Sequence, residues 1–329
     1  MTAQTWTGGP EAAPHPHHHH GWWWKTLLTG LALWILTIVV TIVTGNTNLI
    51  PTLILLGSFL VPFCVVLFAI ERVGGSVSSL QLVLAFFIGG IFGVLGASLL
   101  EVNLHQSYWL YLLVGLIEEL VKGILLVIIG WRVVPKTAAQ GALLGATVGA
   151  GFAAFESAGY AFNAAITARG IDLVSLLETE VLRAILAPVG HVLWTAVLGA
   201  VLFGAARGRD RFRFSIWIVV TYVGVAVLHG LWDSASDLAA VIALLANGRA
   251  IEELTTAGGL SAQTASAVTA LAGILYIVVL IVVAAGGILT LWLVLRHYRR
   301  AERAGAVAHS AVGQPAVSDP PAPPQRPIV

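Results

Sequence analysis

Residues 107–131, SYWLYLLVGLIEELVKGILLVIIGW, determine the predicted fold. Apart from Glu118, Glu119 and Lys122 the stretch is almost entirely apolar, and it exceeds the roughly 20 residues that a helix needs to cross a bilayer. Charged side chains are costly inside a membrane, so they usually face the interior of a helix bundle and indicate a functional site. The stretch therefore predicts a membrane helix that contributes two carboxylates and an ammonium group to such a site.

The composition is that of an integral membrane protein. The 329 residues are 58% hydrophobic and only 10% charged, whereas soluble domains have about 25% charged residues. The net charge of +1 argues against a nucleic-acid partner. The single cysteine, Cys64, excludes an intramolecular disulfide.

Apolar runs predict an all-α, polytopic bundle of about eight transmembrane helices. The predicted spans are 25–44, 49–70, 80–100, 108–131, 141–163, 188–206, 215–237 and 267–295. With the N-terminus inside, most of the 17 lysines and arginines flank the cytoplasmic ends. We therefore predict a multi-pass protein of the cell membrane with both termini in the cytoplasm.

The chain divides into six predicted segments. They are a disordered His-rich tail (1–24), N-terminal membrane helices (25–107), a catalytic core (108–237), an extracytoplasmic loop (238–266), a last membrane helix with a basic end (267–303) and a disordered Ala/Pro-rich tail (304–329). Histidines 15 to 20 could alternatively bind a metal weakly. The amphipathic stretch 171–187 should lie in the outer interface or re-enter the bundle.

Small residues recur every four positions in two of the predicted spans. Gly141, Gly145 and Gly149 lie in one of them, and Gly89 and Gly93 lie in another. This spacing predicts close packing of helix backbones.

Ionisable residues in three further spans predict one shared site. These are Glu156, His191, and His229 with Asp233. Together with Glu118, the residues Glu156, His191 and His229 fall about 5 to 15 Å below the outer boundary at 1.5 Å of rise per residue. Glu118 and Lys122, like His229 and Asp233, are four positions apart and should share a helix face, whereas Glu119 points about 100° away and should face another neighbour. Each group alone could be an ion pair, an interhelical hydrogen bond or a headgroup contact, but the cluster favours a functional site. Asp237 is expected only to end its span.

Four motifs carry a resemblance to a known family. EELVK (118–122), FAAFE (152–156), RAILAPVGHVLWT (183–195) and HGLWD (229–233) resemble, in order, the motifs of the PrsW family of intramembrane proteases. The resemblance covers about 108–237. The more distant CAAX-processing and bacteriocin-processing membrane proteases have EExxxR, FxxxH and HxxxN instead, so processing of prenylated proteins is not expected.

The resemblance implies hydrolysis of a peptide bond in a membrane-anchored protein, such as an anti-sigma factor. It implies catalytic roles for Glu118, Glu119, Glu156, His191, His229 and Asp233, with Lys122 and Arg183 in support. The expected partners are this substrate and the lipid bilayer, without nucleic acid; the oligomeric state stays open.

The residues leave two mechanisms and two other functions open. A glutamate could activate water without a metal, or His191, His229 and Glu156 could hold zinc. We favour the metal-free version because no HExxH signature is present. The rival functions are an ion- or proton-coupled transporter, whose polar path should reach both sides of the midplane, and a non-catalytic scaffold.

Overall fold

The computed structural model describes residues 21–72, 77–107, 109–168, 170–207 and 209–312, and almost all of them are helical. The α-helices are α1 (Trp22–Thr44), α2 (Ile50–Arg72), α3 (Ser79–Glu101), α4 (Leu110–Gly130), α5 (Ala138–Ala165), α6 (Leu173–Leu186), α7 (His191–Ala205), α8 (Ile216–Asp233), α9 (Ala235–Ala246), α10 (Gly248–Ala257) and α11 (Ala262–Val312). Short 3-10 turns occupy Thr47–Leu49 and Ala187–Val189. Strands β1 (Ile166–Thr167) and β2 (Gly170–Ile171) pair antiparallel, with Ile166 opposite Ile171.

The predicted polytopic helical bundle is confirmed. Among the described residues, seven helical segments are long and apolar enough to cross a membrane: α1, α2 with its preceding turn, α3, α5, α6 joined to α7, α8 and α11. Helix α4, predicted as a further span, has 21 residues but contains Glu118, Glu119 and Lys122. These three side chains are buried inside the bundle, which is where an apolar helix can carry charge in a membrane.

The chain after α8 differs from its prediction. The span predicted at 215–237 ends at Asp233, and α9 begins at Ala235. The loop predicted at 238–266 instead forms α9, α10 and the start of α11, because Asn247 caps α10 through the Ala250 amide and Gly258 ends it in a left-handed conformation (φ 70°). Helix α11 continues to Val312, into the segment predicted as the C-terminal tail.

Several other predictions concern residues at the ends of the chain. The His-rich stretch 1–20 and residues 313–329 lie outside the described residues, as does Tyr108, the first residue of the span predicted at 108–131. Helix α1 begins at Trp22, three residues before its predicted start. This extension includes Trp23, whose ring packs edge-on against Phe68 of α2 with centroids 6.1 Å apart.

Close packing of α5 against α7 positions the candidate site. A Cβ atom at Gly141, Gly145 or Gly149 would overlap backbone atoms of α7, at Gly199, Thr195 and His191 respectively. The predicted role of this glycine stripe is thereby confirmed. Since the His191 carbonyl lies directly against Gly149, the backbone of α5 fixes where α7 begins.

We expect Gly149→Ala to lower stability by about 1–3 kcal/mol, because the added methyl group overpacks the contact with His191. Gly159→Ala, in the same helix, is the matched control, since nothing lies within 4 Å of a Cβ there. Thermal unfolding in detergent measures both variants. Equal unfolding temperatures of the Gly149→Ala and Gly159→Ala variants would show that α5 and α7 can move apart without loss of stability.

Candidate active site

The six predicted catalytic residues converge from four helices. Glu118 and Glu119 lie on α4, Glu156 on α5, and His229 and Asp233 at the end of α8. His191 is the first residue of α7 and follows Gly190, which ends the Ala187–Val189 turn. Contacts of 3.8 Å or less connect all six side chains, directly or through Lys122.

Lys122 joins both glutamates of α4. Its Nζ donates to Glu118 Oε2 at 3.1 Å and to Glu119 Oε1 at 2.7 Å, and it is fully buried. The expected Glu118–Lys122 pair is present, and Glu119 shares Lys122 in addition to facing another neighbour. The long lysine side chain reaches the carboxylates at both i−4 and i−3. Glu119 also contacts His229 Nδ1 at 3.2 Å, so it links α4 to α8.

Each histidine has one ring nitrogen beside an orienting carboxylate. His191 Nε2 lies 3.0 Å from Glu156 Oε2, and His229 Nδ1 lies 3.2 Å from Glu119 Oε1. The other nitrogens face Glu118 Oε2, at 3.8 Å from His191 Nδ1 and 3.7 Å from His229 Nε2, and His229 Nε2 also lies 3.2 Å from Asp233 Oδ2. Metal-binding histidines typically have this arrangement, with the distal N–H held by a carboxylate.

Glu118, His191 and His229 form a group with the geometry of a metal site. One donor atom from each lies within 4.8 Å of the others, and two imidazoles with one carboxylate are a known ligand set of catalytic zinc. The residues therefore fit a metal ion. The group includes Glu118 where the sequence suggested Glu156, whose Oε2 lies on the far side of the His191 ring, at Nε2.

The Lys122 ammonium lies beside two members of this group. It is 3.1 Å from Glu118 Oε2 and 2.9 Å from His191 Nδ1. A metal ion at the group and Lys122 in this position would place two cations against the same donors. Binding of a metal ion at this group therefore depends on the contacts that Lys122 makes with the same donors.

Helix α6 supplies a second cation to the cluster. Arg183 forms an ion pair with Glu156 through Nη2 and donates from Nε to Ser157 Oγ at 2.8 Å. Of the two alternatives predicted for 171–187, the packing of α6 on α2 and α5 agrees with the one inside the bundle. The ion pair with Arg183 offsets the charge of Glu156, which is partly buried.

Aromatic rings enclose the two histidines. Trp194 stacks on His229 with ring centroids 4.7 Å apart, and Trp232 meets Trp194 edge-on. The ring centroids of Phe152 and His191 are 5.1 Å apart, and Lys122 Nζ lies 4.0 Å from the centroid of the Phe152 ring. These rings keep lipid and bulk water away and strengthen the electrostatic contacts that they surround.

A cavity of about 410 Å³ between α3 and α4 reaches the cluster. Its lining combines apolar side chains with four carboxylates: Glu101, Glu118, Glu156 and Asp233. The volume lies within the usual range of ligand pockets, about 300–1,000 Å³. The cavity therefore connects the carboxylates on the α3 side of α4.

Sequence reasoning missed three residues at this cavity. Glu101 ends α3, Tyr160 follows Glu156 by one turn, and Tyr111 donates from its hydroxyl to Asp237 Oδ2 at 2.7 Å. This hydrogen bond joins the start of α4 to the first turn of α9, where Asp237 lies, whereas the sequence predicted that Asp237 ends a span. The available signals were a lone acid at the end of an otherwise uncharged apolar run, and a tyrosine four positions after Glu156.

A family model described as PrsW family intramembrane metalloprotease matches residues 21–251. The chain belongs to the PrsW family of intramembrane metalloproteases. It is therefore a membrane-embedded protease, and its apolar helices make it a multi-pass membrane protein. No curated protein and no solved structure matches it significantly.

The match to the PrsW family extends beyond the motifs quoted from the sequence. It includes α1, α2 and α3, which contain none of them. The family is described as one of metalloproteases, and Glu118, His191 and His229 provide suitable donor atoms for a metal ion. Together these findings favour the metal-dependent alternative over the metal-free version preferred from the sequence.

Proposed function

We propose that this PrsW-family protein is an endopeptidase that hydrolyses a peptide bond of a membrane-anchored protein in the outer half of the membrane. Water activated at Glu118, His191 and His229 is the nucleophile. The observation that carries the proposal is the convergence of these three side chains, from three helices, beside a cavity of about 410 Å³ that Glu118 lines.

The surrounding residues have distinct roles in this proposal. Glu156 and Glu119 orient His191 and His229 by accepting from the ring nitrogens that face away from Glu118. Asp233 is the carboxylate that receives the proton of the attacking water. It lines the cavity, its side chain is 30% exposed, and no lysine or arginine neutralises it among the described residues.

Arg183 and Lys122 compensate the charge of this centre. Arg183 neutralises Glu156, and Lys122 is shared between Glu118 and Glu119. Without these two cations, three carboxylates would lie close together in a region that excludes water, which is a costly arrangement.

A metal ion would be held by Glu118, His191 and His229. When bound, zinc or a similar ion supplies Lewis acidity, which makes a coordinated water nucleophilic near neutral pH. Glu119 and Glu156 hold the same histidine orientations that such an ion requires.

The proposed substrate is a protein with a single membrane anchor, of which an anti-sigma factor is the leading example because of the family resemblance. A cavity on the α3 side of α4 suits a peptide that approaches from within the bilayer. The scissile segment must unwind locally to enter it, because a helix with side chains is about 10–12 Å wide.

Long uncharged stretches in the four helices that carry the site argue against the transporter alternative. Beyond the cluster, residues 123–130 of α4, 138–155 of α5, 192–205 of α7 and 216–228 of α8 contain no Asp, Glu, Lys, Arg or His. A proton or ion path needs polar groups on both sides of the midplane. The cluster instead ends within the bundle, as a hydrolytic site does.

Reconstitution with a panel of tagged single-span membrane proteins tests the proposal. We expect cleavage near the extracytoplasmic end of a substrate span, since the Lys/Arg distribution supports cytoplasmic termini and, with them, a cluster in the outer half. Mass spectrometry of the products locates the cut. Absence of any product across the panel would contradict proteolysis, and a cut near the cytoplasmic end would contradict only the orientation.

A further inference from the structure

Helix α6 contains a buried acid that the proposed chemistry does not use. Glu180 is 2% exposed, and its Oε2 accepts a 2.8 Å hydrogen bond from Trp34 Nε1 of α1. Its other oxygen is buried and has no hydrogen-bond partner among the described residues. An ionisable group with so little compensation is a poor packing element, because an apolar residue of similar size would cost less.

The backbone of α2 forms the other side of this contact. A Cβ atom at Gly57 would overlap the carboxyl group of Glu180. Only glycine leaves room for the carboxyl group at this position. Glu180 is thus held by an indole on α1 and a glycine on α2, two helices that contain none of the catalytic motifs.

The same helix reaches the catalytic cluster one turn later. Arg183 is three positions after Glu180, about 4.5 Å further along the helix axis. It pairs with Glu156, whose Oε2 lies 3.0 Å from His191 Nε2. A shift of α6 at Glu180 would therefore move Arg183 away from Glu156 and release one restraint on His191.

We propose that Glu180 is a positioning residue: Trp34 and Gly57 hold it, and it sets α6 so that Arg183 reaches Glu156. The proposal rests on the proposed proteolysis and adds a role for α1 and α2. Glu180 touches neither substrate nor reacting atoms and acts through Arg183. We name the Trp34–Glu180–Gly57 contact the α6 latch.

Trp34→Phe tests the latch through activity. The change keeps an aromatic ring but removes the hydrogen bond, and we expect kcat to fall about ten- to a hundredfold with little change in KM, because small displacements of an active site have effects of that size. Glu180→Gln should retain most activity, since its amide oxygen still accepts from the indole. Trp24→Phe, an exposed tryptophan of the same helix, is the matched control.

A double-mutant cycle separates positioning from general packing. In an Arg183→Gln background, Trp34→Phe should cause no further loss of kcat, because the latch acts through Arg183. Losses that multiply would mean that Trp34 only stabilises the bundle, which would overturn the proposal. Gly57→Ala disturbs the same contact from α2 and serves as a second variant if Trp34→Phe does not accumulate.

Thiol labelling tests the latch without activity. Ala187 directly follows α6, is 8% exposed and lines a small cavity with Glu156 and His191. In a full-length Cys64→Ala chain with Ala187→Cys, we expect maleimide to label the new thiol several-fold faster when Trp34→Phe is added, and no faster with Trp24→Phe.

The two readouts have separate outcomes. A wild-type protein that cleaves substrate, with neither kcat nor labelling sensitive to Trp34, would overturn the latch and leave proteolysis standing. Labelling that depends on Trp34 in a protein that cleaves none of the substrates would reject proteolysis and retain the latch as a restraint on α6.

Discussion

Glu118→Gln is expected to lower kcat/KM for a reconstituted single-span substrate by a factor of about 10² to 10⁴, the usual cost of removing a group that activates water. The glutamine has the same shape but cannot hold the charge that faces His191, His229 and Lys122. Glu119→Gln should also abolish detectable cleavage, because Glu119 orients His229 and binds Lys122.

Both variants should still insert into the membrane, since each leaves Lys122 with one carboxylate partner. Glu252→Gln, on the exposed face of α10, is the control for loss of a glutamate outside the cluster. Quantitative immunoblotting of membranes measures insertion, and gel analysis of substrate measures cleavage. Normal cleavage by both Glu118→Gln and Glu119→Gln would refute the catalytic assignment.

Much of this arrangement could be predicted from the sequence. Ionisable side chains in apolar membrane helices usually face the interior of the bundle and pair with one another. The positions of the acids and histidines in four separate spans therefore indicate a single cluster. Helical spacing also identified partners within a helix. His229 Nε2 and Asp233 Oδ2 are 3.2 Å apart, as four-residue spacing predicts.

Contacts between helices were beyond prediction because spacing does not encode how each helix is rotated about its axis. The rotation of α5 and α7 places Glu156 beside His191 Nε2 and leaves Glu118 in the group of metal donors. For the same reason the sequence did not predict the Trp34–Glu180 hydrogen bond, which joins residues 146 positions apart. Glu101 was missed because it ends its helix, where a charged residue is ordinary.

Loss of metal is expected to have an effect as large as loss of Glu118. With Glu118, His191 and His229 as donors, we expect the purified protein to hold about one metal ion per chain and to lose activity with a strong chelator. Zinc should restore that activity. The five histidines between positions 15 and 20 should first be changed to glutamine in the full-length chain, because a His-rich tail binds metal independently of the site.

In that background, His191→Ala and His229→Ala should each lose both bound metal and proteolysis, because each removes one of only three donors. His105→Ala is the matched control, since His105 lies in the exposed connection between α3 and α4. Elemental analysis and cleavage are measured on the same preparations. Full activity in a preparation with far less than one metal ion per chain would reverse the assignment: Glu118 would then take the proton of water itself, and Lys122 would be the cation shared by Glu118, Glu119 and His191.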